Sequence, residues 1–366
     1  MATANQRLRD LQVDHAVDLR GYSVNVVRRM IAVLNRADAA LFSELVVRLR
    51  TMTPETFTIE RLDAMLDSVQ ALNRAAYARV DAELRGELRG LSEAEVLFQR
   101  AALLTSLPPA FPIASVSVDV AYAAAMSRPF QGALLREFLA DQSLKKGRMI
   151  RQAVADGFVQ GQTTDAIVRK LRGTRAANYA DGLLEITRRD AQTIVRTALA
   201  HTASFAQQQV FDANASLFKG YLWVSTLDLR TTSECQVRDG KEYTLDFKPV
   251  GHSYAWGAGP GRLHYNCRSA RTPITMSWRD LGVPMDEFLP EDRASMDGTV
   301  PAAQDYAEWL AKQSAARQDE ALGPARGKLF RAGGLSLKEL YDAQGAELTL
   351  DELRARRPTA FVKANL

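Results

Sequence analysis

The chain has 366 residues, of which 46% are apolar and 25% charged, with 22 glycines, 13 prolines, two cysteines and a formal net charge of +4. That balance excludes wholesale disorder and leaves material for two or three domains with their own cores. No apolar run approaches the roughly eighteen residues of a membrane span, two cysteines cannot frame a disulfide scaffold, and +4 spread over 47 basic and 43 acidic side chains is weak support for a nucleic-acid partner.

The N-terminus mixes Arg7, Arg9, Asp10 and Asp14 with no apolar core, unlike a signal peptide, so synthesis in a reducing cytoplasm is expected. Apolar residues then recur at helical spacing from Val24 to Arg50 (Val27, Ile31, Leu34, Leu41, Leu45, Leu49), with Thr53-Pro54 as the stop. A second amphipathic run, Ile59 to about Leu91, should pair with it as a helical hairpin, whose outer face is either bundle packing or a docking surface. Gly86 and Gly90 weaken its end, and Ser92-Glu93-Ala94-Glu95 has a capping-box pattern that would restart a helix.

Pro108 to Pro112 marks a boundary. Ser117 can cap a short Ala-rich helix ending by Pro129, and a longer helix follows over Leu134–Ala155, up to the Gly157–Gly161 turn. Thr163 or Thr164 caps a short helix Asp165–Arg172 closed by Gly173, and a long helix runs over Arg188–Asp212. From Lys145 to Arg196 eleven Lys/Arg face five Asp/Glu. Lys145, Lys146, Arg148, Arg151, Arg169, Lys170, Arg172 and Arg175 are the candidate contacts to double-stranded DNA. With no interleaved aromatics, such contacts would be independent of base sequence, and a solvated helical face explains the same pattern.

After Lys219-Gly220 the texture changes. Tyr221–Val224 reads as a strand, Asp239-Gly240 as a turn, Lys241–Leu245 as the returning strand, and Pro249–Gly261 as loop. Beyond Trp278 short helices are expected at Asp305–Ser314, Ser336–Ala343 and Thr349–Arg356, the last two opened by capping boxes. Leu335, Leu337, Leu340 and Tyr341 need another surface to cover them, so the segment reads as an extended arm that wraps a neighbour.

The chemically rare residues gather between Trp223 and Arg268. Cys235, His264 and Cys267 offer two thiols and an imidazole, three ligands of a structural zinc, with His252, Asp228 or Asp239 as candidates for the fourth. A Cys235–Cys267 disulfide or two packed thiols would satisfy the same residues. Cys235 as nucleophile with His264 as base, oriented by Asp228 or Asp239, is the enzymatic reading, but no catalytic signature surrounds the cysteine. Paired charges point instead to a structural clasp of Asp228, Arg230, Cys235, Asp239, Gly240, His264, Asn266, Cys267 and Arg268. No phosphate-binding loop, H-E-x-x-H or dinucleotide-binding glycine pattern is present.

The motif D-x-R-T-x-x-x-C-x-x-x-D-G-K over Asp228–Lys241, followed by H-x-N-C-R-S over His264–Ser269, resembles the phage head-morphogenesis family, the Mu F type of minor head protein. Val195-Arg196-Thr197-Ala198 resembles the helix that precedes the motif in that family. The likeness runs from about Ala133 to Pro273. The chain departs from the pattern where Ser233 and Glu234 precede a single Cys235 and Ser269 stands for a final cysteine.

The resemblance implies a non-enzymatic virion protein of a tailed phage, assembled in the host cytoplasm and present in few copies inside the capsid. Its partners would be the portal or the major capsid protein, packaged DNA and other copies of itself, with no membrane. Assembly, genome retention or ejection would be the role, and no cofactor is implied; the structural zinc read from Cys235, His264 and Cys267 is the one alternative, and the departures from the family pattern remove ligands from it. A virion-delivered Cys/His hydrolase or metal-dependent nuclease is the competing reading. The expected architecture is mainly α with a small α+β domain. It comprises an N-terminal helical bundle (1–107), a central head-morphogenesis domain (113–275) with a short β-hairpin and a long Gly/Pro loop, and an extended C-terminal arm (276–366).

Overall fold

The computed structural model describes residues 3–52, 58–277, 279, 281, 292–301, 304–342 and 345–366. Thr53-Pro54, Trp278 and Ala343 lie outside them. The chain divides into two compact units, each assembled from separated stretches: Met1–Leu19, Glu95–Ser117 and Ala206–Leu366 in the first, Arg20–Ala94 and Val118–Phe205 in the second. No helix among the described residues is long and apolar enough to cross a membrane. The class is mainly α with a small antiparallel sheet, as the periodicities predict.

Helix α1 spans Ala4–Leu49 and α2 spans Ile59–Ser106. Both are longer than expected. The first twenty residues of α1 bury Gln6 and Gln12 beside Ala4 and Leu8, so the apolar stripe is too thin to read in sequence. The expected break near Ser92 does not occur. Ser92 is buried inside α2 and its hydroxyl donates to the carbonyl of Leu88 one turn back at 2.9 Å, a bond that satisfies the side chain without ending the helix.

In the second unit α3 is Val118–Met126, α4 Leu135–Val159, α5 Thr164–Arg172, and α6 runs Glu185–Ala213, its residues up to Phe205 belonging here. Thr163 caps α5, its hydroxyl accepting from the Ala166 amide at 3.2 Å, and Gly173 closes it at φ +87°, as the sequence predicts. Gly157 lets α4 and α5 meet. A Cβ there would come within 2.4 Å of the Ile167 side chain. The core joins Leu41, Leu45 and Leu49 of α1 to Leu62, Leu66 and Val69 of α2, Ile150 and Val154 of α4, and Ile167 and Leu171 of α5.

The first unit holds the sheet. Its strands β1 (Phe218–Val224), β2 (Glu242–Tyr243), β3 (Pro249–Val250) and β4 (Ala270–Thr275) lie in the order β3-β2-β1-β4, all antiparallel. The predicted pair is present, Tyr221 opposite Tyr243, but β1's longer partner is β4, which sequence reading misses. Gly220 is fixed by close approach: a Cβ there would stand 2.2 Å from the Tyr243 carbonyl oxygen. Trp223, Tyr243 and Trp256 pack edge-on and tilted over the sheet, with ring centroids 4.8–6.3 Å apart.

The C-terminal segment is not an extended arm. After the two-stranded ribbon β5 (Asp292–Ser295) and β6 (Gly298–Pro301) come α8 (Tyr306–Ala311), α9 (Ala315–Leu322), α10 (Pro324–Arg331), a 3-10 turn at Leu337–Leu340, α11 (Leu350–Arg356) and α12 (Pro358–Ala364). The short helix expected over Ser336–Ala343 is that 3-10 turn. Both capping boxes form, at Ser336 with Glu339 and at Thr349 with Glu352. Leu335, Leu337, Leu340 and Tyr341 are buried together with Trp309, Leu329 and Phe361 and with Leu227, Val237 and Tyr254 of the segment that follows β1. Burying a leucine contributes about 1.5–3 kcal/mol, which a freely extended arm would forgo. The surface those leucines require comes from the same chain.

Candidate functional site

The site begins where β1 ends. The Ser225 amide donates to Asp239 Oδ1 at 2.7 Å and the Ser225 hydroxyl donates to the Cys235 carbonyl at 2.7 Å. Trp223 Nε1 donates to that same hydroxyl at 3.1 Å. Gly240, at φ +70°, returns its amide to the Trp223 carbonyl at 2.9 Å. Asp239 and Gly240 therefore hold the short helix α7 (Ser233–Gln236), which carries Cys235, against the strand end.

A second tie is ionic. Arg268 grips Asp228 with both terminal nitrogens, Nη2 to Oδ1 at 2.7 Å and Nη1 to Oδ2. Arg230 joins this tie through its backbone, its amide donating to Asp228 Oδ1 at 3.0 Å, and not through the guanidinium that the sequence suggests. The Thr231 hydroxyl donates to the same oxygen at 3.2 Å. Burial alone would raise the Asp228 pKa, but the bonds and charge of Arg268, with the Arg230 amide and Thr231, outweigh it and hold the carboxyl below its ordinary value. A depressed folded-state pKa means stability present at neutral pH and lost as pH falls below about 4. Urea denaturation across that range should show the loss in the native chain. Asp228→Asn should be weaker at neutral pH by about 1.5–3 kcal/mol and should lack that part of the acid dependence.

The third tie is the turn His264–Cys267. Asn266 takes φ +56° and the Cys267 amide donates to the His264 carbonyl at 3.2 Å, which puts both side chains on the α7 side. His264 Nδ1 lies 2.8 Å from the Tyr265 carbonyl, which can only accept, so Nδ1 carries the proton. Nε2 is then a lone pair, receiving the Thr232 hydroxyl at 2.8 Å and facing Cys235 Sγ at 3.3 Å. The two sulfurs are 3.9 Å apart, both free thiols and buried. The bond to Cys267, together with burial, raises the Cys235 pKa. The same bond holds Cys267 well below the usual thiol range against its burial, helped by His264. His264 is in turn lifted, burial opposing and Cys267 favouring its charged form.

Cys235, His264 and Cys267 could hold a metal. Their ligand atoms lie within 4.8 Å of one another. The candidates for a fourth ligand are engaged elsewhere: Asp228 with Arg268, Asp239 with Ser225, and His252, whose Nε2 donates to the Glu242 carbonyl at 2.9 Å. The orienting acid of a Cys/His nucleophile is likewise replaced, because the partner of His264 Nδ1 is a backbone carbonyl.

Residues 148–272 match the family model described as Phage Mu protein F like protein. This segment is similar to that family. Comparison with curated proteins and with solved structures gave no match. The Mu F-like segment contains the whole clasp and most of the basic stretch, and the match bears out the resemblance to phage head-morphogenesis proteins.

The basic residues of the Mu F-like segment and its N-terminal flank do not form one face. Lys146 is buried and pairs with Asp38, so it cannot touch DNA. Lys145 pairs with Asp190 at 2.6 Å and Arg151 with Asp63 through two bonds, at 2.6 and 3.2 Å. Arg148, Arg169, Lys170, Arg172 and Arg175 are exposed, three of them in the last turn of α5. Sequence reasoning also misses Gln236. Its amide donates to the Thr231 carbonyl at 2.8 Å and accepts from Tyr341 at 2.8 Å, tying the C-terminal segment to the clasp. Tyr306 adds a bond to the Asp228 carbonyl at 3.2 Å. A glutamine between a cysteine and a valine gives no sequence signal for this.

Proposed function

We propose that the chain is a non-enzymatic minor head protein of a tailed bacteriophage, carried in few copies inside the capsid and docked on the portal or the major capsid protein. The observation that carries this reading is the Mu F-like match over 148–272. The clasp supports it as architecture. Its side chains are spent on one another and on backbone groups that fix the chain path, as a docking module requires, and its cavity of ≈ 20 Å³ is about the size of one water molecule. The C-terminal helices join the same body, so the docking surface is presented by folded elements.

Packaged double-stranded DNA is the second partner in this reading, contacted independently of sequence by Arg148, Arg169, Lys170, Arg172 and Arg175. These are the five of the eight candidate residues that stand exposed, and the last four lie within seven residues of sequence. Lys145 and Arg151 contribute less, because each must leave a carboxylate to reach a phosphate. Binding measured against salt concentration tests this. Replacing Arg169, Lys170 and Arg172 together by Ala should weaken binding to every duplex alike and lower the salt slope by about 0.9 for each phosphate no longer neutralised. An unchanged slope, or binding that does not respond to salt, would remove DNA from the proposal.

A further inference from the structure

Two thiols and an imidazole that face one another have a geometry that can be compared with coordination. A tetrahedral zinc has Zn–S near 2.3 Å and Zn–N near 2.0–2.1 Å, so its edges measure about 3.8 Å between sulfurs and about 3.5 Å from sulfur to nitrogen. Here Cys235 Sγ lies 3.9 Å from Cys267 Sγ and 3.3 Å from His264 Nε2. Two edges of one face of such a tetrahedron are thus close to the coordinated lengths, and the ligand atoms of all three residues lie within 4.8 Å of one another, near enough for a small closure to complete the face.

The surroundings match what a metal site needs beyond its ligands. The Nδ1–H of His264 is committed to the Tyr265 carbonyl, which fixes the ring and leaves Nε2 as the coordinating lone pair. Beside Cys235 and His264 lies the small cavity, bordered by Thr232, Asn266 and Ser269, with volume for about one water.

We propose that Cys235, Cys267 and His264 form a binding site for a soft tetrahedral divalent cation of the zinc class, with the fourth position opening on this cavity and taken by water. Both cysteines bind as thiolates, so uptake releases whatever thiol protons they still carry, and the cation's two positive charges balance the two sulfurs. The Thr232 hydroxyl gives up Nε2 and turns to the bound water. The site is independent of the head-protein role, since it rests on ligand geometry alone. Its effect is on the clasp: one ion would bridge α7 to the turn that leads into β4.

The test uses the full chain, kept reduced with a phosphine, stripped with a chelator and titrated with Co(II) and then Zn(II). One Co(II) per chain should bind, with the thiolate-to-cobalt charge-transfer band and the intense visible absorption of a tetrahedral centre, and Zn(II) should displace it. Zinc should raise the melting temperature of the native chain. Cys235→Ser together with Cys267→Ser should abolish the charge-transfer band, and His264→Ala should weaken binding by at least about tenfold. Failure of the reduced native chain to bind Co(II) in this form overturns the site whether or not the variants fold. Retention of the band in the double-serine variant overturns it as well.

Discussion

Replacing Lys146 by Ala is expected to destabilise the protein by about 3 kcal/mol, at the lower end of what breaking a buried ion pair costs. The side chain of Lys146 is 2% exposed and that of Asp38 5%. Lys146 Nζ meets Asp38 Oδ1, Arg188 Nη2 reaches Oδ2 at 2.9 Å, and the ammonium lies 5.9 Å from the centre of the Tyr77 ring. The carboxylate thus joins α1 to α4 and α6. Removing the lysine leaves it with one cation in a site closed to water. Arg188 remains, which is why the loss should not reach the roughly 5 kcal/mol of a fully orphaned charge. Asp38→Asn combined with Lys146→Met should cost less than the two single changes added together, because the charges are removed as a pair. Urea denaturation of the four proteins measures this cycle. A Lys146→Ala midpoint within about 0.5 kcal/mol of the native one, the range of surface substitutions, would mean that the lysine is solvated and available to other partners.

The second large effect is at Trp223. Trp223→Ala should cost about 3–5 kcal/mol, the range for emptying a large aromatic site. The residue is fully buried, packs edge-on to Trp256 at 5.4 Å, and carries the Arg238 guanidinium over its ring at 5.8 Å. Its Nε1–H also begins the chain of bonds through Ser225 to the Cys235 carbonyl. Truncation therefore opens a cavity beneath the sheet and loosens the clasp. Trp223→Phe, which keeps a ring but not the donor, should restore about half of the loss. Near-UV circular dichroism and a denaturation midpoint together check the result. A Trp223→Ala loss below about 1 kcal/mol would show that the clasp closes without this anchor.

Much of this architecture is legible in the sequence, and the failures share a cause. Helix periodicity, the Thr163 cap and the two C-terminal capping boxes are local, and they read correctly. The gathering of Cys235, His264 and Cys267 is legible because rare residue types in one loop-rich stretch leave few alternatives, and the Asp228–Arg268 pair is the kind of interaction a planar guanidinium favours.

The misreadings concern partners far along the chain. Counting charge places Lys146 on a DNA face, yet it lies seven residues after Leu139 and four before Ile150, on the buried stripe of α4. Periodicity holds that information, but the excess of charge masks it, and Asp38 is 108 residues away. The C-terminal helices read as an arm because each is too short to bury its own leucines. What covers them is partly the segment after β1, about a hundred residues earlier, and nothing local signals that pairing. Strand β4 is missed for a related reason: Ala270–Thr275 contains Pro273, a residue that reads as a strand breaker although it sits on an edge strand of this sheet.

The central proposal is that this chain, through its Mu F-like segment, is a structural part of a phage head. Quantitative mass spectrometry of purified heads from the phage that encodes it, taken before and after DNA packaging, tests that most directly. The account predicts the chain in both kinds of particle, at a few copies against the many of the major capsid protein. A chain absent from both and recovered only in the soluble fraction would contradict it.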